Sequence, residues 1–398
     1  MTTASQLLAT LEGINEVSFA NEEERVRLRD ALFETYRKVQ SPWDIVWEHN
    51  WVNPATSASI KTLIKAGLFD KWAACGGGSK TCAELAELTG ADEVLIQRLM
   101  RQISGQNLVV ETAADTFTPT PWVTALASDT ALQNVYGEFY RGVNTAMFTS
   151  LPYFLHSTGF KNPTDLNNGN WQFQKPNGNN FFQDLAVSPE IASDFHCAMQ
   201  CHSKYNLTPW TEVYPTSTIV EAGIANAKLG RPLVVDVGGS KGHDLEKFRL
   251  CHPDVPDGSL VLQDLPDVVQ DVKVDKAISV QAYDFFTPQP ESARGSRVYF
   301  MHNVLHDWTD KLVAKILGNV VGAMEKGYSR LLIHESLVSR VKPLARVTVS
   351  DITMMACLSS KERTENEWTH LVEEAGLKVV KIWRPPHSIE SVIEAELV

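Results

Sequence analysis

The spacing of apolar positions divides the chain into a helical first third and a last half of alternating strands and helices. Helical patterns run over 21–39 and over 59–71, the second ending near Gly67. Two more helices follow, one over 82–89 between the cap Thr81 and Gly90, and one over 93–104 after the cap Asp92. A hairpin of two strands, 107–111 and 116–119, comes next. This order predicts a winged helix-turn-helix in a mainly helical domain over residues 1–130.

From about residue 217 the pattern predicts strands that alternate with helices. The strands are expected at 233–237, 260–263, 277–283, 298–303, 330–336 and 378–383, and the helices at 245–251, 312–324 and 367–375. Such alternation predicts an α/β domain with a doubly wound, Rossmann-like parallel sheet over residues 216–398. The aromatic-rich stretch 131–215 has helical patches at 136–151 and 189–202, and we expect it to link the domains and line a pocket.

The charge of the chain argues against nucleic acid and anionic membranes as partners. The chain carries 36 basic and 48 acidic residues, a net charge of −12, whereas phosphate backbones are bound by clustered Lys and Arg. The second helix of the predicted winged module begins with Asp92 and Glu93 and has only Arg98 and Arg101 as basic residues. Packing in a dimer or over a substrate is therefore preferred to DNA binding.

Hydropathy, the first residues of the sequence and the cysteine content bear on the cellular location. No apolar run approaches the roughly 20 residues that span a bilayer, and no secretory signal is visible at the start of the sequence. Six scattered cysteines fit reduced thiols. We expect a cytoplasmic protein.

A glycine turn after the strand at 233–237 indicates a nucleoside-type ligand. Asp236 ends the strand, and Gly238, Gly239 and Gly242 form the turn before a helix. The dinucleotide pattern is Gly-x-Gly-x-x-Gly, with the helix N-terminus directed at a pyrophosphate. Here the order is Asp-x-Gly-x-Ser-x-Gly, and the early carboxylate would repel phosphate but suits an ammonium group. S-adenosylmethionine, with its amino-acid tail and adenosine head, fits this turn better than a nicotinamide or flavin cofactor.

Two further acids end the next strands. Asp264 closes its strand 28 positions after Asp236, where a carboxylate can accept hydrogen bonds from ribose hydroxyls. Asp284 ends the third strand and can accept from an adenine amine, with Phe285 against the ring. Any one of these acids could be a helix cap or turn acid, but three successive strand ends on the ligand edge favour a binding site.

A histidine after the next strand is the candidate base. His306, followed by Asp307 and Trp308, lies just beyond the strand at 298–303. Methyl transfer from a sulfonium to a hydroxyl needs a nucleophile that is deprotonated as it attacks, and an imidazole suits that role near pH 7. A capping role is the alternative. Glu335 and Glu365 are candidate acceptors for the second ring nitrogen.

These motifs together resemble the plant-type O-methyltransferases, and most closely their fungal secondary-metabolite relatives. The resemblance is carried, in order, by Gly-Gly-Ser-Lys-Gly-His, Leu-Gln-Asp-Leu-Pro, Asp-Phe-Phe, Val-Leu-His-Asp-Trp, Asp-Ile-Thr-Met-Met-Ala and Glu-Arg-Thr-Glu-x-Glu-Trp. It is dense over 215–398 and looser before. The resemblance implies S-adenosylmethionine as cofactor and a homodimer formed through the N-terminal domain.

The resemblance also implies the role of each site residue. His306 would be the base, flanked by Glu335 and Glu365. The cofactor contacts would be Asp236, Gly238, Gly239, Asp264, Leu265, Asp284, Phe285 and His302. The acceptor contacts would be Met199, Asp307, Trp308 and Met354. Three positions depart from the family pattern: Ser240 replaces a glycine, His302 a lysine, and Leu358 an amide that anchors the acceptor.

Two other patterns are expected to be structural. His196, Cys197, Cys201 and His202 resemble a metal site, but on a helix each His is rotated by about 100° from its neighbouring Cys, and zinc needs converging ligands. Trp43, Trp47 and Trp51 form a helical stripe that fits core or dimer packing. No carboxylate cluster suggests a divalent metal, and we expect none.

The sequence therefore predicts an S-adenosylmethionine-dependent O-methyltransferase that acts on a hydroxyl of a small aromatic or polyketide-type metabolite. The alternative within the family is a member that keeps the cofactor without methylating, such as a pericyclase or dehydratase. A winged-helix regulator that senses the cofactor is a third reading, and it would need a basic helix face that the sequence lacks.

Overall fold

The computed structural model describes residues 3–205, 208–384 and 389–398. The chain forms two compact units, 1–128 and 129–398, so the stretch 131–215 belongs to the same unit as the predicted sheet. No helix in the described ranges is both long and apolar enough to span a membrane.

The first unit is mainly helical and contains a small sheet. Its elements are α1 (Ala4–Glu12), α2 (Glu22–Val39), α3 (Pro42–Trp47), α4 (Asn53–Lys65), α5 (Leu68–Ala74), β1 (Lys80–Thr81), α6 (Cys82–Thr89), α7 (Glu93–Ser104), β2 (Val109–Ala113), β3 (Thr116–Pro119) and α8 (Pro121–Ser128), with a 3-10 turn at Glu16–Ser18 and a π-helical turn at Glu48–Val52 between α3 and α4. The strands pair in the order β1-β3-β2.

The predicted helix, helix and hairpin are confirmed, because the local caps fix their ends. Thr81 accepts the N–H of Glu84, and Asp92 accepts the N–H of Leu95. The predicted end at Gly67 of the helix pattern over 59–71 is also confirmed, although that helix begins earlier than expected, at Asn53. Gly67, at φ +68°, separates α4 from α5, because its left-handed conformation ends the first helix.

The second unit begins with helices and continues as a sheet with helices on both faces. Its first helices are α9 (Thr130–Asn134), α10 (Ala146–Ser157) after a π-helical turn at Tyr140–Thr145, α11 (Asn170–Gln174), α12 (Phe181–Ala186), α13 (Pro189–Lys204), α14 (Trp210–Val213) and α15 (Ser217–Ala227). The rest comprises β4 (Val234–Val237), α16 (His243–Cys251), β5 (Leu260–Asp264), α17 (Pro266–Val269), β6 (Ile278–Ala282), a 3-10 turn at Glu291–Ala293, β7 (Val298–His302), a 3-10 turn at Leu305–Asp307, α18 (Asp310–Val321), β8 (Arg330–Ser336), α19 (Ala345–Leu358), α20 (Glu365–Glu374), β9 (Leu377–Trp383) and β10 (Glu390–Leu397).

The seven-stranded sheet has the order β6-β5-β4-β7-β8-β10-β9. The first five strands in this order are parallel, and β10 is antiparallel to both of its neighbours. The predicted α/β fold with a doubly wound, mostly parallel sheet is confirmed, but the antiparallel strand β10 was not predicted. The missed strand, β10, contains Glu390 and Glu394, which are buried and hydrogen-bonded, so its sequence looks more polar than a buried strand normally does.

The two faces of the sheet have separate cores. One face packs Val235, Tyr299 and Ile333 with α18 and α20. The other packs Phe300 and Leu332 with α14 and α16. Because side chains alternate along a strand, consecutive residues at the ends of β7 and β8 point to opposite faces. Each face therefore carries its own polar cluster at that edge.

Candidate active site

The turn after β4 accepts only glycine at two positions. Gly238 has φ +78°, and a Cβ there would lie 2.8 Å from Cγ2 of Val304. A Cβ on Gly239 would lie 2.4 Å from Oδ2 of Asp236. The backbone thus passes closely over the strand end, as a turn that receives a ligand requires.

Two acids, Asp236 and Asp264, lie beside this turn. Asp236 is 2% exposed, and its Oδ2 has no hydrogen-bond partner among the described residues. Burial, with help from nearby Asp244, raises the pKa of Asp236 well above its ordinary value. Asp264 accepts the N–H of Ser240 at 2.8 Å and that of Leu265 at 2.7 Å. An unpartnered buried carboxylate fits the ammonium group of an amino-acid tail.

The remaining predicted adenosine contacts lie around the same edge. Phe285 places its ring 3.7 Å from the position of a Cβ on Gly238. Asp284 accepts the N–H of Phe286 at 2.9 Å in the turn after β6, and Leu265 is 48% exposed beside Asp264. His302 differs, because its imidazole lies between Asp244 and Glu390, with Nδ1 2.6 Å from Oδ2 of Asp244.

His306 lies in the 3-10 turn after β7 and is held by buried carboxylates. Its Nδ1 is 2.8 Å from Oε1 of Glu362 and 3.6 Å from Oε2 of Glu335. Oε1 of Glu335 also accepts the backbone N–H groups of Leu305 and His306 at 3.0 and 3.3 Å. The second ring nitrogen, Nε2, lies 3.5 Å from Oδ1 of Asp307. With Nδ1 as the donor to Glu362, the neutral imidazole has its basic lone pair on Nε2.

The prediction that Glu365 flanks His306 is wrong. Glu365 is exposed and pairs with Arg384, whereas Glu362, three residues earlier, contacts the imidazole. The cause is the cap of α20: Thr364 caps the helix with Glu367, so the helix begins at Glu365 and that side chain points to solvent. This Thr-x-x-Glu box is visible in the sequence and could have placed Glu365 at the first position of a helix.

Charge around His306 outweighs the cost of burying it. Burial favours the neutral ring, but Glu335, Glu362 and Asp307 together raise the pKa of His306 well above its usual 6.5. Burial also raises the pKa of Glu335 to about 7 and that of Asp307 to about 6. Burial therefore favours the protonated forms of Glu335 and Asp307, and the carboxylates favour the protonated form of His306.

Neighbouring residues fix Glu362 in place. Ser350 of α19 donates to Oε1 of Glu362 at 2.5 Å, and the N–H of Glu362 donates to Asp351 at 2.9 Å. Contact with His306 keeps the pKa of Glu362 below its ordinary value although burial opposes this. Sequence reasoning missed Ser350 and Asp351, which become candidates only once α19 is known to lie over the turn.

A cavity of 410 Å³ opens beside His306. Its walls mix apolar and polar side chains: His202, Asn303, His306, Ser336, Ala345, Arg346, Val349, Ser350, Glu362 and Ile389. The four predicted acceptor contacts, Met199, Asp307, Trp308 and Met354, all lie outside these walls, although Asp307 is 3.5 Å from Nε2 of His306. Trp308 stacks on Phe182 instead, with ring centroids 5.4 Å apart, and Met354 packs against the aromatic cluster between α10, α12 and α19.

The chain is similar to known proteins over most of its length. A family model described as an O-methyltransferase domain matches residues 164–378. The O-methyltransferase mfmE of Annulohypoxylon moriforme is 36% identical, over 98% of this chain and 95% of its own. A solved complex of LepI with SAM has a TM-score of 0.89 at 24% identity over 100% of both chains. A structure described as a pericyclic reaction enzyme has a TM-score of 0.88 at 24% identity, covering 99% of each chain.

The α/β sheet with its glycine turn and unpartnered buried acid fits an S-adenosylmethionine-dependent methyltransferase, the class that the family match indicates. Within that class, the chain belongs to the O-methyltransferase family. The predicted resemblance, enzyme class and cofactor are thereby confirmed.

Proposed function

We propose that the chain methylates a hydroxyl of a small aromatic or polyketide-type metabolite, with His306 as general base. The observation that carries the proposal is the fixed imidazole at the cavity wall: Glu362 holds Nδ1 at 2.8 Å, and Nε2 is left to receive a proton. S-adenosylmethionine, when bound, supplies the electrophilic methyl group. Asp236, with its unpartnered oxygen, would hold the amino-acid tail, and Asp264 the ribose.

The chemistry assigned to His306 follows from its charged neighbours. As the acceptor oxygen attacks, its proton passes to Nε2, and the imidazolium is stabilised by Glu362 and Glu335. The raised pKa of His306 makes the ring a stronger base toward a phenolic hydroxyl, whose own pKa is about 10. Because its pKa is raised, the ring must first lose a proton to solvent, so the proposal requires methyl transfer to increase with pH until the imidazole is neutral.

The cavity supports a small, partly polar acceptor. Its volume of 410 Å³ lies in the range of small-molecule sites. Val349, Ala345 and Ile389 offer apolar contact, while Arg346 and Asn303 offer hydrogen bonds to oxygen substituents. A phenolic or enolic compound of a few rings fits these walls.

Methyl-labelled cofactor tests the proposal directly. The protein is incubated with the labelled donor and a panel of phenols and enols, and the label is followed by mass spectrometry. We expect the label on an acceptor oxygen together with stoichiometric S-adenosylhomocysteine. Conversion of an acceptor with the label still on the donor would contradict methyl transfer.

A second candidate is a reaction in which the cofactor is retained. The observation that favours it is the pair of buried carboxylates, Glu362 and Glu335, beside Nδ1 of His306, because they favour a protonated ring, which donates a hydrogen bond instead of accepting a proton. One of the similar folds is described as a pericyclic reaction enzyme. The same labelling experiment separates the two, since a pericyclase or dehydratase changes its substrate and leaves the donor intact.

A further inference from the structure

A second cluster of polar side chains lies on the opposite face of the sheet from His306. Its members come from three neighbouring strands: His302 ends β7, His334 lies in β8, and Glu390 begins β10. His302 and His334 are directly paired in register, and Glu390 pairs with Ser336. Methyl transfer, as proposed above, uses none of these three side chains.

The distances within this cluster match the ligand spacing of a tetrahedral metal. Oε2 of Glu390 lies 3.2 Å from Nε2 of His302 and 3.6 Å from Nε2 of His334. One ligand atom from each of the three residues lies within 4.8 Å of the others. Ligands bound at about 2.1 Å in tetrahedral geometry lie about 3.4 Å apart. Two histidines and a glutamate form a ligand set that zinc uses with a fourth position left open.

Surrounding groups orient the ligands as they do in metal sites. Nδ1 of His302 is 2.6 Å from Asp244, so Nε2 is the nitrogen directed at the cluster. A carboxylate behind a ligating histidine is the usual outer-shell arrangement. Oε1 of Glu390 accepts from Asn303 at 2.9 Å and contacts Nε2 of His202 at 2.8 Å, which leaves Oε2 facing the two imidazoles.

His334 is the independent observation that indicates a ligand. It is 1% exposed, and neither ring nitrogen has a hydrogen-bond partner among the described residues. A buried polar group without a partner has lost its hydrogen bonds to water and gained none in the protein, which destabilises the fold. Its ring lies 4.2 Å from that of His302, with the planes 31° apart, and its Nε2 is directed at Glu390. A cation between these atoms would satisfy the orphaned nitrogen.

We propose that His302, His334 and Glu390 form a binding site for a divalent transition metal of the zinc class. Asp244 orients His302 from behind, and His202 stands beside Glu390 as a candidate fourth ligand. The ion would join β7, β8 and β10 at the point where the parallel part of the sheet meets its antiparallel edge. The expectation of no metal was based on the lack of a carboxylate cluster, and these ligands are dispersed over almost ninety residues of sequence.

Metal binding to the full, untagged chain tests the site without reference to methyl transfer. The protein is stripped with a chelator, dialysed and titrated with Co²⁺, with zinc content after reloading measured by plasma mass spectrometry. We expect one equivalent per chain and visible absorption bands of a four- or five-coordinate Co²⁺ site. His334→Leu should weaken binding roughly 100-fold or more, and Asp244→Asn roughly 10- to 100-fold. His370→Leu, at an exposed histidine paired with Glu374, is the matched control.

Two results would overturn the site. The first is a wild-type chain that neither retains zinc nor shows saturable uptake of Co²⁺, in which case His302 shares a proton between Asp244 and Glu390. The second is an unchanged Co²⁺ affinity in His334→Leu. The titration of the wild-type chain tests the site without any variant, so the proposal can still be rejected if a variant misfolds.

Discussion

At the scale of single residues, the site depends on which glutamate faces His306. Glu335 contacts both the ring and the backbone of the turn, so it fixes the position of His306 as well as its charge. Glu362 contacts only the ring nitrogen and is itself held by Ser350. The two glutamates therefore have separable roles: Glu335 fixes the position of the turn, and Glu362 raises the pKa of His306.

The first prediction compares two neighbouring glutamates. Glu362→Gln removes a carboxylate that raises the pKa of His306, so the pKa of the base falls. Because a general base works when deprotonated, the rising limb of the kcat/KM profile should shift to lower pH, with a loss of turnover of roughly 10-fold or more. Glu365→Gln, at the exposed start of α20, should leave the profile unchanged. Equal effects of the two changes would show that Glu362 does not act on the ring.

The second prediction concerns the base itself. His306→Ala should lower methyl transfer roughly 10²- to 10⁴-fold. Binding of S-adenosylhomocysteine, measured by calorimetry, should stay within about 3-fold of wild type, because the cofactor turn belongs to β4 and not to this 3-10 turn. Methyl transfer at the wild-type rate in this variant would reject the assignment of the base.

At the scale of elements, the sequence predicted well those structures whose determinants are local. The caps Thr81 and Asp92 fixed the starts of two helices, and the pattern of apolar residues identified six strands of the large sheet. The predictions failed where residues far away in the sequence determine the structure of a segment. β10 is a strand because Tyr214, Trp383 and Asn303 accommodate its buried acids. Glu362 faces His306 because α19 places Ser350 and Asp351 beside it.

The third prediction tests the glycine turn that follows β4. Gly238→Ala has two costs: alanine must adopt the left-handed conformation of Gly238, and its Cβ lies only 2.8 Å from Val304. Gly230→Ala, at φ +89° with nothing within 4 Å, carries the conformational cost without the contact. We expect Gly230→Ala to cost about 1 kcal/mol in the free energy of unfolding, and Gly238→Ala roughly 1–3 kcal/mol more.

The cofactor provides the second measurement for this pair. Gly238→Ala should also weaken the binding of S-adenosylhomocysteine, measured by calorimetry, by roughly 10-fold or more. The reason is that Val304 and Phe285 pack against the glycine turn and leave no room for a Cβ there without a shift of the backbone. Gly230→Ala should bind with wild-type affinity. If both alanines have the same effect on unfolding and on binding, the close approach of the backbone is not what selects glycine.

At the scale of the whole molecule, the first unit carries an exposed aromatic surface. Trp43, Trp47 and Trp51 are 60%, 46% and 48% exposed, and the last two stack with centroids 4.7 Å apart. Phe33 and Tyr36 of α2 are also about half exposed. A cluster of exposed aromatic rings in one unit is typical of an association surface, and the dimer implied by the family resemblance remains a prediction that this surface fits.

The fourth prediction therefore concerns oligomeric state. We expect the wild-type chain to be a dimer in light scattering coupled to size exclusion, because burial of the tryptophan stripe against a second copy removes large apolar rings from water. Trp47→Ser should cost about 2 kcal/mol or more of association free energy, a rise of roughly 30-fold in the dimer Kd. Leu229→Ser, at an isolated side chain that is 83% exposed in the second unit, should leave the Kd unchanged. A monomeric wild type, or a dimer that survives Trp47→Ser with the same Kd, would remove the stripe from the interface and leave its exposure to be explained by another partner.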